Sequence, residues 1–351
     1  KYLLMKKAYK EMLGGLKPTS LKSKGSDDRV LLIDGLNTFI RSFTINPSKN
    51  EDGIHVGGIK GFLLSIGHAI RQIKPTRVII CFDGKGGSKR RKKMYPDYKA
   101  NRAVNRRLTR LDNFTSVDDE KVAMGQQLQR LVEYLEKLPV TVMATENIEA
   151  DDAIAYICQQ VYPESQCFIM SSDTDFLQLV DDRVVVWAPT KKKFFFKENV
   201  KDAFGCNSQN YILYKTLMGD KGDNVPGIKG LGKKTLEKNI PILFQDKEIS
   251  LQDILTYIKD NKDSNAIMTK LSESTQKLEL NYDLMQLKET DISGTIKESI
   301  RYIVHKPVQR MIKYEFLKFI LEDRLWLVKS PEFWLKETFF SLDVYASMTH
   351  D

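Results

Sequence analysis

The sequence is poor in the residues that build sulfur and imidazole sites. It holds four cysteines and four histidines in 351 residues. Cys81, Cys158, Cys167 and Cys206 form no C-x-x-C pair, and three of them lie in or beside apolar runs. That argues against a disulfide framework and for reduced, buried thiols in a cytosolic compartment. Four scattered histidines leave a zinc site without its usual ligands. No apolar run approaches the roughly 20 residues of a membrane span, so no membrane partner is expected. Residues 1–16 set Leu, Met and Tyr among lysines with no small-residue cleavage pattern after them. They read as an amphipathic helix within an N-terminal extension, 1–28, rather than as a signal peptide.

What the chain has is charge. Charged residues make up 29% of it, apolar ones 42%, and the net charge is +9, a balance that favours a polyanionic partner. The excess is concentrated. Between Lys85 and Arg110 Asp97 is the only acid, and the basic residues include Arg90, Arg91, Lys92, Lys93, Lys99 and Arg102.

Several short β-branched runs end in acids or turn residues. Val30–Ile33 leads into Asp34, Val78–Phe82 into Asp83, and Cys167–Met170 through two serines into Asp173. Val140–Met143 and Val184–Trp187 are two further strand-like runs, and helical patterns cover Ile59–Ile73, Met124–Lys137 and Ala150–Val161. Alternating strands and helices predict an α/β fold with a mainly parallel central sheet flanked by helices. Ligands on such sheets bind outside the carboxyl ends of the strands. Three carboxylates from distant positions would therefore meet on one rim. A single strand-end Asp is ordinarily a helix cap or a turn residue; three together favour a site.

After about residue 204 helical patterns dominate. The division is thus a core over 29–203, with a long polar insertion at 88–123, and a helical region over 204–351. Within the latter, Met218–Thr235 reads M-G-D-K-G-D-N-V-P-G-I-K-G-L-G-K-K-T. Gly230-Leu231-Gly232 followed by Lys233 and Lys234 has the form of a helix–hairpin–helix near 218–240, whose glycines and following amides let backbone approach a phosphate. The carboxylates fall in five segments: Asp34, Asp83, Glu149 to Asp152, Asp173 with Asp175, and Asp220 with Asp223. Hard oxygen donors of this kind suit Mg²⁺ or Mn²⁺.

In order, spacing and residue type these segments resemble the 5′-nuclease and flap endonuclease family. The phage enzymes called RNase H or 5′-exonuclease are the closest in appearance, on the run from Asp83 to Arg102 that ends Tyr-Lys-Ala-Asn-Arg. The resemblance covers roughly residues 29–240. It implies a PIN-like nuclease core, a basic arch at 88–123 and hydrolysis of phosphodiesters near the 5′ end of flap, nicked or RNA-primed duplexes with two metal ions. Asp34, Asp83, Glu149, Asp151 and Asp152 would serve the first ion, and Asp173, Asp175, Asp220 and Asp223 the second. Lys99 would contact the scissile phosphate. Arg91, Tyr98, Arg102, Gly230, Gly232, Lys233 and Lys234 would bind nucleic acid, with K⁺ at the hairpin. It also implies branched or primed DNA and RNA–DNA hybrid as partners, replication proteins such as a single-strand-binding protein or sliding clamp, a monomer, and a host cytoplasm if the chain is phage-encoded. Tyr95, Tyr98 and Phe114 could stack bases or pack locally. Phe339-Phe340-Ser341-Leu342 resembles a clamp-binding peptide only vaguely, and core packing is preferred for it. The competing readings are a branched-DNA-binding protein of weak activity, an acidic single-metal signalling domain and a single-strand ribonuclease.

Overall fold

The computed structural model describes residues 28–103, 108–109 and 114–348; the expected helix at 1–16 lies outside them. The central sheet has strands β1 (Arg29–Asp34), β2 (Arg77–Asp83), β3 (Thr141–Thr145), β4 (Gln166–Met170), β5 (Val184–Ala188) and β6 (Lys193–Phe195), in the order β3-β2-β1-β4-β5-β6. The first five are parallel; β6 closes the edge antiparallel to β5. Chain order reverses between β1 and β4, the place where the crevice of a doubly wound sheet opens.

The strands are continuous apolar runs because both faces are covered. Leu31, Ile33, Ile80 and Phe168 point to one face and meet helices α1 (Gly35–Ile45), α2 (Gly57–Ile73) and α4 (Val117–Leu135). Val30, Leu32, Ile79 and Ile169 point to the other, over α5 (Ala150–Tyr156). Helix α3 (Lys89–Met94) stands in the basic insertion between β2 and α4. α4 starts at Val117, earlier than Met124, because Ser116 caps it by accepting from the Asp119 N–H at 3.0 Å and three acids follow in its first turn, favourable at a helix N-terminus.

Beyond the sheet come α6 (Lys197–Phe204), α7 (Tyr211–Met218), α8 (Lys233–Asn239), α9 (Leu251–Asp260), α10 (Ala266–Glu273) and α11 (Thr275–Met285). The last five surround a third apolar cluster. Helices α12 (Gly294–His305), α13 (Lys313–Glu322) and α14 (Pro331–Met348) do not stay with them. Ile300 and Val304 of α12 join one face of the sheet, and Phe316, Trp334, Leu335, Phe339 and Leu342 join the core of the other. A division at residue 204 therefore marks the end of the central sheet's strands but not the end of the chain's contribution to that sheet's core. It also settles the Phe339–Leu342 stretch: Phe339 and Leu342 are buried inside α14, while Phe340 faces solvent. All four cysteines are buried and free.

Candidate active site

Parallel strands place the ends of β1, β2 and β4 on one rim. Asp34 closes β1 and is 6% exposed. Its Oδ1 accepts from the Asn37 N–H at 3.1 Å, capping α1, and its Oδ2 accepts from the Ser171 hydroxyl at 2.9 Å across the crevice. Asp83 accepts from the Ala150 N–H at 2.7 Å, at the start of α5. Strand-end acids thus do act as caps here, and the same positions gather their charge. Burial, reinforced by Asp173 and Asp83 against the bonds from Asn37 and Ser171, pushes the Asp34 carboxyl up to about 7. Burial together with Asp34 and Asp173 raises Asp151 well above the usual carboxylate range, although Lys99 opposes it. Burial and Asp173 push Asp175 up to about 7, against the pull of Lys215.

Two lysines sit among these acids. Lys99 Nζ donates to Glu149 Oε1 at 2.7 Å and lies 3.8 Å from Asp223. Burial disfavours its charge, but Glu149, Asp223 and Asp151 prevail and raise its pKa. Lys215, on α7, donates to both Asp175 and Asp220. It too is raised against burial by those two carboxylates. The sequence reading missed Lys215, whose signal was a lone charge in the apolar helix Tyr211–Met218, five residues before Asp220. Ser171 and Asn37 were also missed; Asn37 accepts from the Ser172 N–H at 3.2 Å.

At three expected positions the structure shows inward contacts. Arg91 is turned into the protein. It is 3% exposed and donates to Glu149 at 2.7 Å, to both oxygens of Asp152 at 2.8 Å and to the Leu284 carbonyl at 2.9 Å. Asp152 is accordingly held by Arg91 rather than left open to a metal ion; two buried carboxylates at the start of α5 require a counter-charge, and Arg91 is in reach. Tyr98 is 2% exposed, with its hydroxyl donating to Glu149 at 3.1 Å and Asp223 at 2.9 Å, so its ring is closed to base stacking. Phe114 stacks on Phe43 at 5.5 Å between ring centres, and Tyr95 packs against the third apolar cluster. Both aromatics serve local packing. Arg102 remains half on the surface, donating to Asp223 at 2.5 Å.

Lys99 bridges Glu149 and Asp223, and Lys215 bridges Asp175 and Asp220. Among the described residues no three acids are drawn together as a ready-made ion cage. The chemistry of the donor set nevertheless fits a hard divalent cation: it is all carboxylate, recessed, and partly held in the protonated range by burial and by repulsion between neighbouring acids, both of which a cation would offset.

The turn Gly230–Gly232 lies away from this cluster at the N-terminus of α8. Two short strands, β7 (Gly219–Asp220) and β8 (Val225–Pro226), separate it from α7. Gly230 needs its freedom, at φ 94. Gly232 does not: its φ is −131 and a Cβ there would meet nothing within 4 Å.

A family model for the 5′-3′ exonuclease N-terminal resolvase-like domain matches residues 29–205. The 5′-3′ exonuclease of Aquifex aeolicus is 34% identical over 206 residues, covering 58% of this chain and 66% of its own length. That of Bacillus subtilis is 30% identical over 224 residues, covering 61% and 70%. The DNA polymerase I of Mycobacterium tuberculosis is 32% identical over 228 residues, but only 24% of its length is spanned. Among solved structures, the zinc-bound 5′-exonuclease of T5 superposes with a TM-score of 0.61 at 20% identity, over 84% of this chain and 99% of that one. Flap endonuclease-1 from Methanococcus jannaschii gives 0.50 at 15%, over 92% and 94%. A sheet with an acidic rim and a basic insertion defines a class of nuclease-like α/β folds, and the chain belongs to the 5′-3′ exonuclease family within it.

Proposed function

We propose that the chain is a Mg²⁺- or Mn²⁺-dependent 5′-nuclease that hydrolyses phosphodiesters near the 5′ end of flap, nicked or RNA-primed duplexes, in replication and primer removal. The observation that carries this reading is the rim itself. Burial, with repulsion from Asp173 and Asp83, holds Asp34 near 7, and burial with Asp34 and Asp173 raises Asp151, an arrangement that costs stability unless cations use it. The relatives' names supply the nucleic acid.

In this mechanism Asp34, Asp83, Glu149 and Asp151 would hold the first ion, and Asp173, Asp175, Asp220 and Asp223 the second. What bound ions supply is activation of a water and neutralisation of charge on the leaving oxygen. The chain's own cations do the rest. Lys99 would offer its ammonium to the scissile phosphate, and Lys215 offsets the charge of Asp175 and Asp220. Arg102 and the exposed lysines of α3 neutralise backbone phosphates. Gly230 to Lys234 present backbone amides and two ammoniums to the duplex, with K⁺ as the ion that suits such a turn. A monomer acting in the cytoplasm (the host's, if phage-encoded), alongside a single-strand-binding protein or clamp, completes the reading.

The test incubates the purified chain with labelled 5′-flap, nicked and RNA-primed duplexes, with chelator and then with Mg²⁺. Short products from the 5′ end that appear only with Mg²⁺ support the proposal; binding to all three without cleavage favours a branched-DNA-binding protein.

A further inference from the structure

Two asparagines lie outside the charged machinery yet join its halves. The base of the basic insertion, residues 95–103, runs against the turn at 221–224 between β7 and β8. Asn224 Nδ2 donates to the Asp97 carbonyl at 2.9 Å. Asn101 Nδ2 donates to the Lys221 carbonyl at 2.8 Å. Between them the Lys99 N–H donates to the Asp223 carbonyl at 2.9 Å. Each segment thus lends one amide side chain to the other's main chain. Lys99 and Asn224 also both take left-handed backbone, at φ 56 and 60. Residues with side chains visit that region seldom and keep it where the surroundings fix it.

We propose that Asn101 and Asn224 are positioning residues. They pin the insertion's base to the 221–224 turn and so keep the Lys99 ammonium beside Glu149 and Asp223. The inference rests on the nuclease reading of this cluster. Charged contacts alone would not preserve the register. Lys99 with Glu149 and Arg102 with Asp223 depend on carboxylates that a metal ion would take over, and on attraction that salt weakens. Amide-to-carbonyl bonds carry no net charge and persist through that exchange. Ordinary loop polarity accounts for each bond singly. It does not account for their reciprocity, nor for two left-handed residues, one in each segment, flanking the shared Lys99–Asp223 bond.

The test uses the full chain carrying N101A and N224G. Glycine accepts φ 60 freely, and position 101 is exposed, so the fold should persist. Amide hydrogen exchange over 95–103 is measured without nucleic acid. Single-turnover cleavage of a 5′-flap duplex is measured at saturating enzyme, with affinity and thermal midpoint determined separately. The expectation is exchange at the Lys99 amide about tenfold faster and cleavage about tenfold slower, with affinity within about twofold and the midpoint lowered by only a few degrees, since two net hydrogen bonds are removed. Unchanged exchange would overturn the proposal. So would faster exchange with an unchanged cleavage rate, or a rate loss matched by equal losses of affinity and midpoint. A wild-type chain that binds and cuts nothing sinks the nuclease reading itself, and the positioning role with it. The exchange measurement tells the two failures apart, because it needs no activity.

Discussion

Replacing Arg91 by methionine should unfold the protein more readily without touching its grip on nucleic acid. The guanidinium is almost wholly enclosed and makes three bonds to two buried carboxylates and one to a carbonyl. Methionine fills a similar stem volume but leaves Asp152 without its bidentate partner and Glu149 with only Tyr98 and Lys99. Removing one member of such a buried network costs about 3–5 kcal/mol. Urea denaturation should show that loss as a lower midpoint at constant slope. A second variant, R91M/D152L, removes the orphaned charge along with its partner and should recover most of the loss, since buried pairs replaced by apolar groups are often neutral. Flap affinity of R91M, measured well below the transition, should stay within about threefold. A variant as stable as wild type but weakened in DNA binding would refute the pairing and return Arg91 to the substrate interface.

Three further outcomes follow from the same geometry. Lys99→Ala should slow single-turnover cleavage about a hundredfold, or roughly 3 kcal/mol, if its ammonium offsets charge in the transition state; an effect confined to affinity would make it one more phosphate contact. Gly232→Val should lower the thermal midpoint only slightly, since nothing lies within 4 Å of a Cβ there and Val is only a poorer helix cap than Gly, yet weaken binding of duplex about tenfold or more while sparing short single strands; equal losses on both would contradict the hairpin's role. In chelator the thermal midpoint should fall as pH rises from 5 to 8. Asp34 and Asp175 stand near 7 folded against 3.8 ordinarily, so the folded state binds more protons through that window and loses stability as they leave. A midpoint flat or rising with pH would show that burial and neighbouring charge do not raise these acids.

The carboxylate rim was legible because it depends on strand ends, and β-branched runs stopping at Asp34, Asp83 and Asp173 mark those ends directly. The sheet followed from the same runs. What was hidden depends on contacts between distant parts of the chain. Arg91 looked like one of a row of exposed cations, and nothing local reveals that Asp152, 61 residues on, turns it inward. Tyr98 likewise reads as a stacking ring until Glu149 and Asp223 close over its hydroxyl. Helices α12 and α13 carry amphipathic patterns that say they bury a face but not which face receives it, and α14 carries little such pattern. Lys215 alone had a local mark, a single charge in an apolar helix.

The central claim is that the acids on the rim perform the chemistry, and Asp173→Asn tests it most directly. The amide keeps the volume and can still accept the Asp175 N–H, which meets Asp173 Oδ1 at 2.9 Å, so the fold and flap binding should survive. Single-turnover cleavage of a 5′-flap duplex in Mg²⁺ should fall by at least about a hundredfold with affinity within about threefold. A folded variant that cleaves at the wild-type rate would contradict the account.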